Sequence, residues 1–233
     1  MKRYLLIICL LIVSALSNAQ GRLDTLYFDL DTCLVSHPAF AVKMRVLYTP
    51  NTGGSKRYID YNLRSMQILE EGGFSSIQRV GNKVKMHREG KLIRYHENGV
   101  IHAEQMMHNG KAYGISKFYD TQGNLEFEMS FKDGILDGVT KYYLNGVLQR
   151  SDTFLQGKMN GPSIIYYPNG KKQTEVYYQN DILHGSYSEY YPTGQIKCSG
   201  SLVNGAYHGQ FRFFNERGTI TNTRTAINGQ WTN

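Results

Sequence analysis

The sequence predicts an all-β protein: an elongated single-layer array of antiparallel β-hairpins, about 24 residues each, with an N-terminal β cap. Three observations predict it. Glycine recurs at Gly99, Gly123, Gly146, Gly170, Gly194 and Gly218, at intervals of 24, 23, 24, 24 and 24 residues. Each of these glycines closes a short polar stretch of turn-forming residues. The segments on either side alternate apolar and polar residues with the period of two that strands require. A hairpin of this length cannot bury enough surface alone, so a fixed period of this kind implies units that stack on their neighbours.

Taken in chain order, Met1 to Ala19 has Lys2 and Arg3, an apolar run from Leu5 to Val13, and Ser17-Asn18-Ala19 at its end. That is the pattern of a secretory signal peptide cleaved after Ala19. The apolar run is about half of the ~20 residues a membrane span needs. The expected destination is periplasmic, outer-membrane associated or extracellular, with no transmembrane span after cleavage. Residues 20–90 read as the cap: strands at Leu26 to Phe28, Ala39 to Tyr48 and Arg57 to Tyr61, a turn over Thr49 to Ser55, and a further turn over Lys85 to Gly90. Asp60 to Gln67 reads as a degenerate repeat with Ser65 where the glycine should be. Residues 91–233 hold the six repeats.

The turn chemistry is clearest in Tyr166-Tyr167-Pro168-Asn169-Gly170-Lys171. Pro168 presets the first turn position, and Gly170 accepts positive φ without a Cβ penalty, which suits a three-residue hairpin loop with a bulge. Glu97-Asn98-Gly99 and Leu144-Asn145-Gly146 are expected to form the same turn. Loops one residue longer are expected before Gly123 and Gly218. A second series, Gly110, Gly134, Gly157, Asp181, Gly205 and Gly229, marks the opposite turns, and a third runs through Gly114, Gly138, Gly161, Gly185 and Gly209.

Alternation from these turns divides the side chains. One face, the expected core, reads Tyr95, Phe118, Tyr142, Tyr166, Tyr190 and Phe213, opposite Ile101, Leu125, Leu148, Lys172, Ile196 and Ile220. It continues with Met107, Phe131, Phe154, Tyr178, Leu202 and Ala226. Ala112, Leu136, Met159, Leu183, Tyr207 and Trp231 close it after each second turn. The other face carries an exposed aromatic stripe, His96, Tyr119, Tyr143, Tyr167, Tyr191 and Phe214, among Arg94, Glu104, Lys117, Glu128, Lys141, Gln149, Gln173, Glu175, Lys197 and Arg212.

The recurring Tyr-Tyr-x-x-Gly-Lys, an aromatic about seven residues on, then x-Asn-Gly-x-x-x-Gly resembles the variant MORN repeat of bacterial proteins, including the YwqK-type antitoxin family. The resemblance covers Ile93 to Asn233. Asp181 in a glycine slot, Lys172 in an aliphatic slot and His96 for the second aromatic depart from it. It implies a non-catalytic binding scaffold and, through the antitoxin label, an immunity-like role.

The remaining features narrow the function. A formal net charge of +7 without a long basic run points to solubility or weak affinity for anionic surfaces, not to nucleic acid. Asp29-Leu30-Asp31 follows a strand as in phosphotransferases, but no helical pattern supplies the rest of such a site, and it reads as a solvated strand end. His96, His102 and Glu104 share a face of one repeat without recurring in later ones, so no metal or other cofactor is expected. Asn51 to Lys56 lacks phosphate-loop spacing. Cys33 and Cys198 are too few for a disulfide scaffold and about four repeats apart, so both are expected to be free thiols, Cys198 on the core face with Ala103 and Phe127. No nucleophile, base and orienting group converge, and the chain is expected not to be an enzyme. The stripe is the candidate site: a protein-binding surface rich in aromatic rings, or a stacking platform for a glycan or envelope polymer.

Overall fold

A computed structural model describes residues 21–29, 33–36, 38–51 and 54–232. The leader over Met1 to Ala19, and Asp31 of the Asp-x-Asp motif, lie outside the described residues. Among those described there are eighteen strands and a single turn of 3-10 helix at Pro38–Phe40, with no α-helix. The all-β, antiparallel class predicted by the glycine period is therefore borne out. Among the described residues no helix is long and apolar enough to cross a membrane.

The chain forms two compact units. The described residues up to Gly99 with Met107–Gly110 make the first, and Val100–Met106 with the described residues from Lys111 onward the second. The first holds β1 (Gly21–Phe28), β2 (Lys43–Pro50), β3 (Lys56–Asn62), β4 (Ile68–Val80) and β5 (Lys83–Tyr95), each paired antiparallel with the next. β6 (Ile101–His108) divides between the units. The second continues with β7 (Lys111–Tyr119), β8 (Leu125–Lys132), β9 (Ile135–Leu144), β10 (Val147–Leu155), β11 (Lys158–Tyr166), β12 (Lys172–Gln179), β13 (Ile182–Tyr190), β14 (Ile196–Val203), β15 (Ala206–Tyr207), β16 (Gly209–Phe214), β17 (Ile220–Ile227) and β18 (Gln230–Thr232).

The cap differs from its sequence reading in three places. The second strand begins at Lys43, because Pro38 to Phe40 takes the helical turn. Lys85 to Gly90 is not a turn: β5 runs through it, and Gly90 at φ +76° forms a bulge inside the strand. In the degenerate repeat the left-handed residue is Met66, at φ 58°, not Ser65. Asn62 holds that loop by accepting the amides of Arg64 and Ser65 on its side-chain oxygen.

Both turn series form as the glycines require. The six first-series glycines have φ between +76° and +95°. At Gly170 the amide donates to Tyr167 O and Tyr167 N donates to Lys171 O, which is the expected three-residue loop. The turns at Gly123 and Gly218 are not longer. Tyr119 pairs with Leu125, Phe214 with Ile220 and Tyr166 with Lys172 at the same separation. The exception is Gly146, where Asn145 and Gly146 alone form the turn and Tyr143 pairs with Leu148. That one-residue shortening is the physical origin of the 23-residue interval.

Repeats within the second unit are joined at their second turns. Gly134 N donates to Ala112 O, Gly157 N to Leu136 O, Asp181 N to Met159 O, Gly205 N to Leu183 O and Gly229 N to Tyr207 O. Asp181 tolerates a φ of +69° in the glycine slot and returns a carboxylate bond to Met159 N at 2.7 Å. Gly138, Gly161 and Gly185, all at positive φ, lie against the bulged residues Ser130, Thr153 and Tyr177 of the preceding strand.

The core of the second unit is one face of its sheet. Its turn-side row pairs Phe131 with Leu136, Phe154 with Met159, Tyr178 with Leu183, Leu202 with Tyr207 and Ala226 with Trp231. The central row changes character along the chain. Ser116, Thr140, Asp152 and Ser163 are buried there, and Phe211 takes the equivalent place further on. Ser163 and Arg150 both donate to Asp152. Farther along, Phe211 and Cys198 pack with Tyr187, Tyr207, Phe213 and Trp231. Gly200 leaves room for the Phe211 ring, which a Cβ would meet at 2.3 Å. Cys33 and Cys198 are free.

The first unit buries a charged pair, Arg45 and Asp60, among apolar residues such as Phe28, Met44 and Leu92. Arg45 binds Asp60 through Nε and Nη2, both at 2.6 Å, while its guanidinium lies over the rings of Phe28 and Tyr58. Glu70 accepts Tyr58 Oη, Arg88 and Arg94 together. A buried charge needs this density of partners to be tolerated.

Candidate partner-binding face

The face opposite the buried row of the second unit follows from strand register. Each strand pair joined by a first turn carries a one-residue bulge just after that turn, at positions such as Gln173 between Ile165↔Thr174 and Tyr166↔Lys172. A bulge inverts the alternation beyond it. Phe118, Tyr142 and Phe213 therefore stay on the core face as expected, whereas Tyr166 and Tyr190 do not. Ile165 and Glu189 occupy their places. Tyr95 likewise leaves the face of Leu92 and donates to Glu71 in the first unit.

The true row on the polar face is thus Tyr119, Tyr143, Tyr166, Tyr190 and Phe214. Its tyrosines make one repeated contact, to the residue fifteen positions earlier. Tyr119 donates to Glu104, Tyr143 to Glu128 and Tyr190 to Glu175, and Tyr166 bonds Ser151. Lysines complete the rungs: Lys141 lies 3.1 Å and Lys117 3.8 Å from Glu128, and Lys172 lies 2.9 Å from Glu175. Burial and then the acidic partner raise the proton affinity of Tyr119, Tyr143 and Tyr190. Burial works to raise that of Glu128, but the bonds from Lys141 and Tyr143 win and lower it.

The six stripe residues named from sequence are half-buried, not exposed, and do not form one equivalent set. Tyr119, Tyr143 and Phe214 belong to the row just described. Tyr167 and Tyr191 sit in the turns, where their hydroxyls donate to Tyr190 O and Phe214 O of the next repeat, each at 2.8 Å. His96 occupies the corresponding turn slot in the first unit, where its carbonyl accepts Gly99 N. The turn tyrosines act as inter-repeat ties. His102 stacks edge-on against Phe118 at 6.4 Å, and Glu104 is engaged by Tyr119. Among the described residues no group of three His, Cys, Asp or Glu side chains is placed to hold a metal.

Sequence reasoning missed the next row toward the second turns. There Ile115, Val139 and Tyr177 stand in solvent at 60 %, 44 % and 37 % exposure. They alternate with Ser130, Thr153 and Pro162 beside the lysine–glutamate rungs. No sequence signal marks them, because an apolar residue on the solvent face of a strand reads like any other strand residue. Farther along, Ser186, Ser188, Ser199, Ser201, Gln210 and Arg212 line a hollow of about 370 Å³.

This architecture defines a β-hairpin repeat protein whose polar face repeats its chemistry from unit to unit. Residues 88–109, 112–133, 159–180 and 183–204 match the MORN repeat variant family. MORN repeats generally serve as protein- or membrane-binding modules. The unmatched stretches 134–158 and 205–229 keep the same turn order, but the first contains the shortened Asn145-Gly146 turn and in the second the opening strand is split into β15 and β16. Comparison with curated proteins gives no match.

Proposed function

We propose that the chain is an exported, non-catalytic repeat scaffold that holds a protein partner on the polar face of its second unit, in an immunity-like role if that partner is a toxin. The observation that carries this reading is the set Ile115, Val139 and Tyr177, solvent-exposed apolar side chains framed by the Lys117, Glu128 and Lys141 rungs. An apolar centre with a polar rim is the anatomy of a protein interface. The rungs are already paired, so they present fixed charge without an ordering cost on binding. Export rests on the leader pattern of Met1 to Ala19, and no catalytic constellation enters the reading.

The test is capture of a partner from the envelope fraction by the wild-type chain and by Ile115→Glu/Val139→Glu. Both positions face solvent, so the variant should melt with the wild type and lose the partner. An unaltered yield with an intact fold would move the interface elsewhere.

A second reading has its own observation. The hollow lined by four serines, Gln210 and Arg212 offers hydroxyl, amide and guanidinium groups, with Tyr177 in the adjoining row, and this is the chemistry of glycan recognition. Retention on peptidoglycan or glycan resin that is lost in Arg212→Ala, but kept in Ile115→Glu/Val139→Glu, would favour it.

A further inference from the structure

We propose that a cavity of about 270 Å³ in the first unit binds a compact zwitterion of the amino-acid or dipeptide class. This site is separate from the partner-binding face and does not depend on it. Its geometry comes from an irregularity between β4 and β5. Register jumps from Gly72↔Leu92 to Gly73↔Glu89, so β5 carries two extra residues, Gly90 and Lys91. Gly90 takes φ +76° to allow this. Gly73 is forced by close approach, since a Cβ there would lie 2.2 Å from Glu89 O.

Arg57, Gly73 and Glu89 form one cross-strand row. A guanidinium and a carboxylate therefore belong to residues on opposite sides of a position without a side chain, two strand spacings or about 10 Å apart across the sheet. The adjacent row, Ile59, Glu71 and Ile93, adds a second carboxylate on the same face. Both acids are held in place. Glu71 Oε1 takes the Tyr95 hydroxyl, and Glu89 takes Asn109 N and His108 Nδ1, each at 2.9 Å. No bond or ion pair joins Arg57 to either of them, and Arg57 is exposed.

The cavity, which Lys91 also lines, thus presents a planar fork for a carboxylate on one side and fixed carboxylate acceptors for an ammonium on the other, with Glu89 O filling the place a Gly73 side chain would take. A ligand with one charge meets only half of it. A zwitterion with its charges a few atoms apart meets both.

The experiment is amide chemical-shift titration of the full chain with alanine and with Ala-Ala, beside acetate and methylamine, for wild type and Arg57→Gln. Saturable shifts at Gly72, Gly73 and Gly90 are expected with a zwitterion, and the tighter of the two probes assigns the class. Arg57→Gln should melt as the wild type does and bind about tenfold more weakly, which is one charge-assisted contact. Absence of saturation with both zwitterions, equal shifts with acetate or methylamine, or equal binding by Arg57→Gln would each overturn the proposal.

Discussion

Glu70→Gln probes the charged interior of the first unit. The Glu70 side chain is 12 % exposed and accepts Tyr58 Oη at 2.5 Å, Arg88 Nη2 at 2.7 Å and Arg94 Nε at 2.9 Å. Burial alone would raise its pKa. The charge of Arg88 and the bonds from Tyr58, Arg94 and Arg88 outweigh burial and lower it from 4.5 to about 2. That difference is worth about 3 kcal/mol. Because the folded value lies below the unfolded one, the contribution is complete above pH ~4.5 and is lost as pH falls toward 2. Less than half of it should remain at pH 3. The glutamine variant lacks the titration, so it should be about 3 kcal/mol less stable at pH 7, and the gap should narrow steadily in acid. Urea titration read at the β3 and β4 amides, at pH 7 and pH 3, measures both gaps. A variant within about 1 kcal/mol of wild type at pH 7, or a gap that ignores pH, would refute the reasoning.

Other substitutions test the second unit. Phe211→Ala removes a ring that is 1 % exposed and packed on Tyr207 and Trp231, and thermal or urea unfolding should show a loss of about 3 to 5 kcal/mol. Gly200→Ala should cost about 1 to 3 kcal/mol by overpacking against that ring, and the loss should shrink when Phe211→Leu is added. Thr140→Val should stabilise by about 1 kcal/mol, because Thr140 Oγ1 is buried without a partner. Tyr167→Phe breaks the tie to Tyr190 O and should cost about 1 kcal/mol in the same unfolding assay.

The sequence was most legible where a residue has only one physical use. Glycine at positive φ repeats at both turns, and the pairs from Phe131↔Leu136 to Ala226↔Trp231 were readable as core because apolar residues flank every second turn. It was least legible where two neighbours could serve either face. Tyr166-Tyr167 and Tyr190-Tyr191 offer a tyrosine to both, so the bulge that decides between them left no compositional trace. The loop lengths misled for a related reason: Phe118-Tyr119 and Phe213-Phe214 look like Tyr166-Tyr167 shifted by one, although it is the Asn145-Gly146 turn that differs. Arg45, Asp60 and Asp152 were hidden because buried charge has no sequence pattern until its partner is known. The exposed Ile115 and Val139 look like ordinary strand residues for the converse reason.

The most direct test of the central claim is hydrogen-exchange mapping of the second unit alone and with its captured partner. Protection is expected in β7 and β9, which carry Ile115, Lys117, Val139 and Lys141, with little change at the turns that hold Tyr167 and Tyr191. Protection centred on those turns, or on the core-face strands around Phe211 and Trp231 with β7 and β9 unchanged, would contradict the assignment of the polar face as the binding surface.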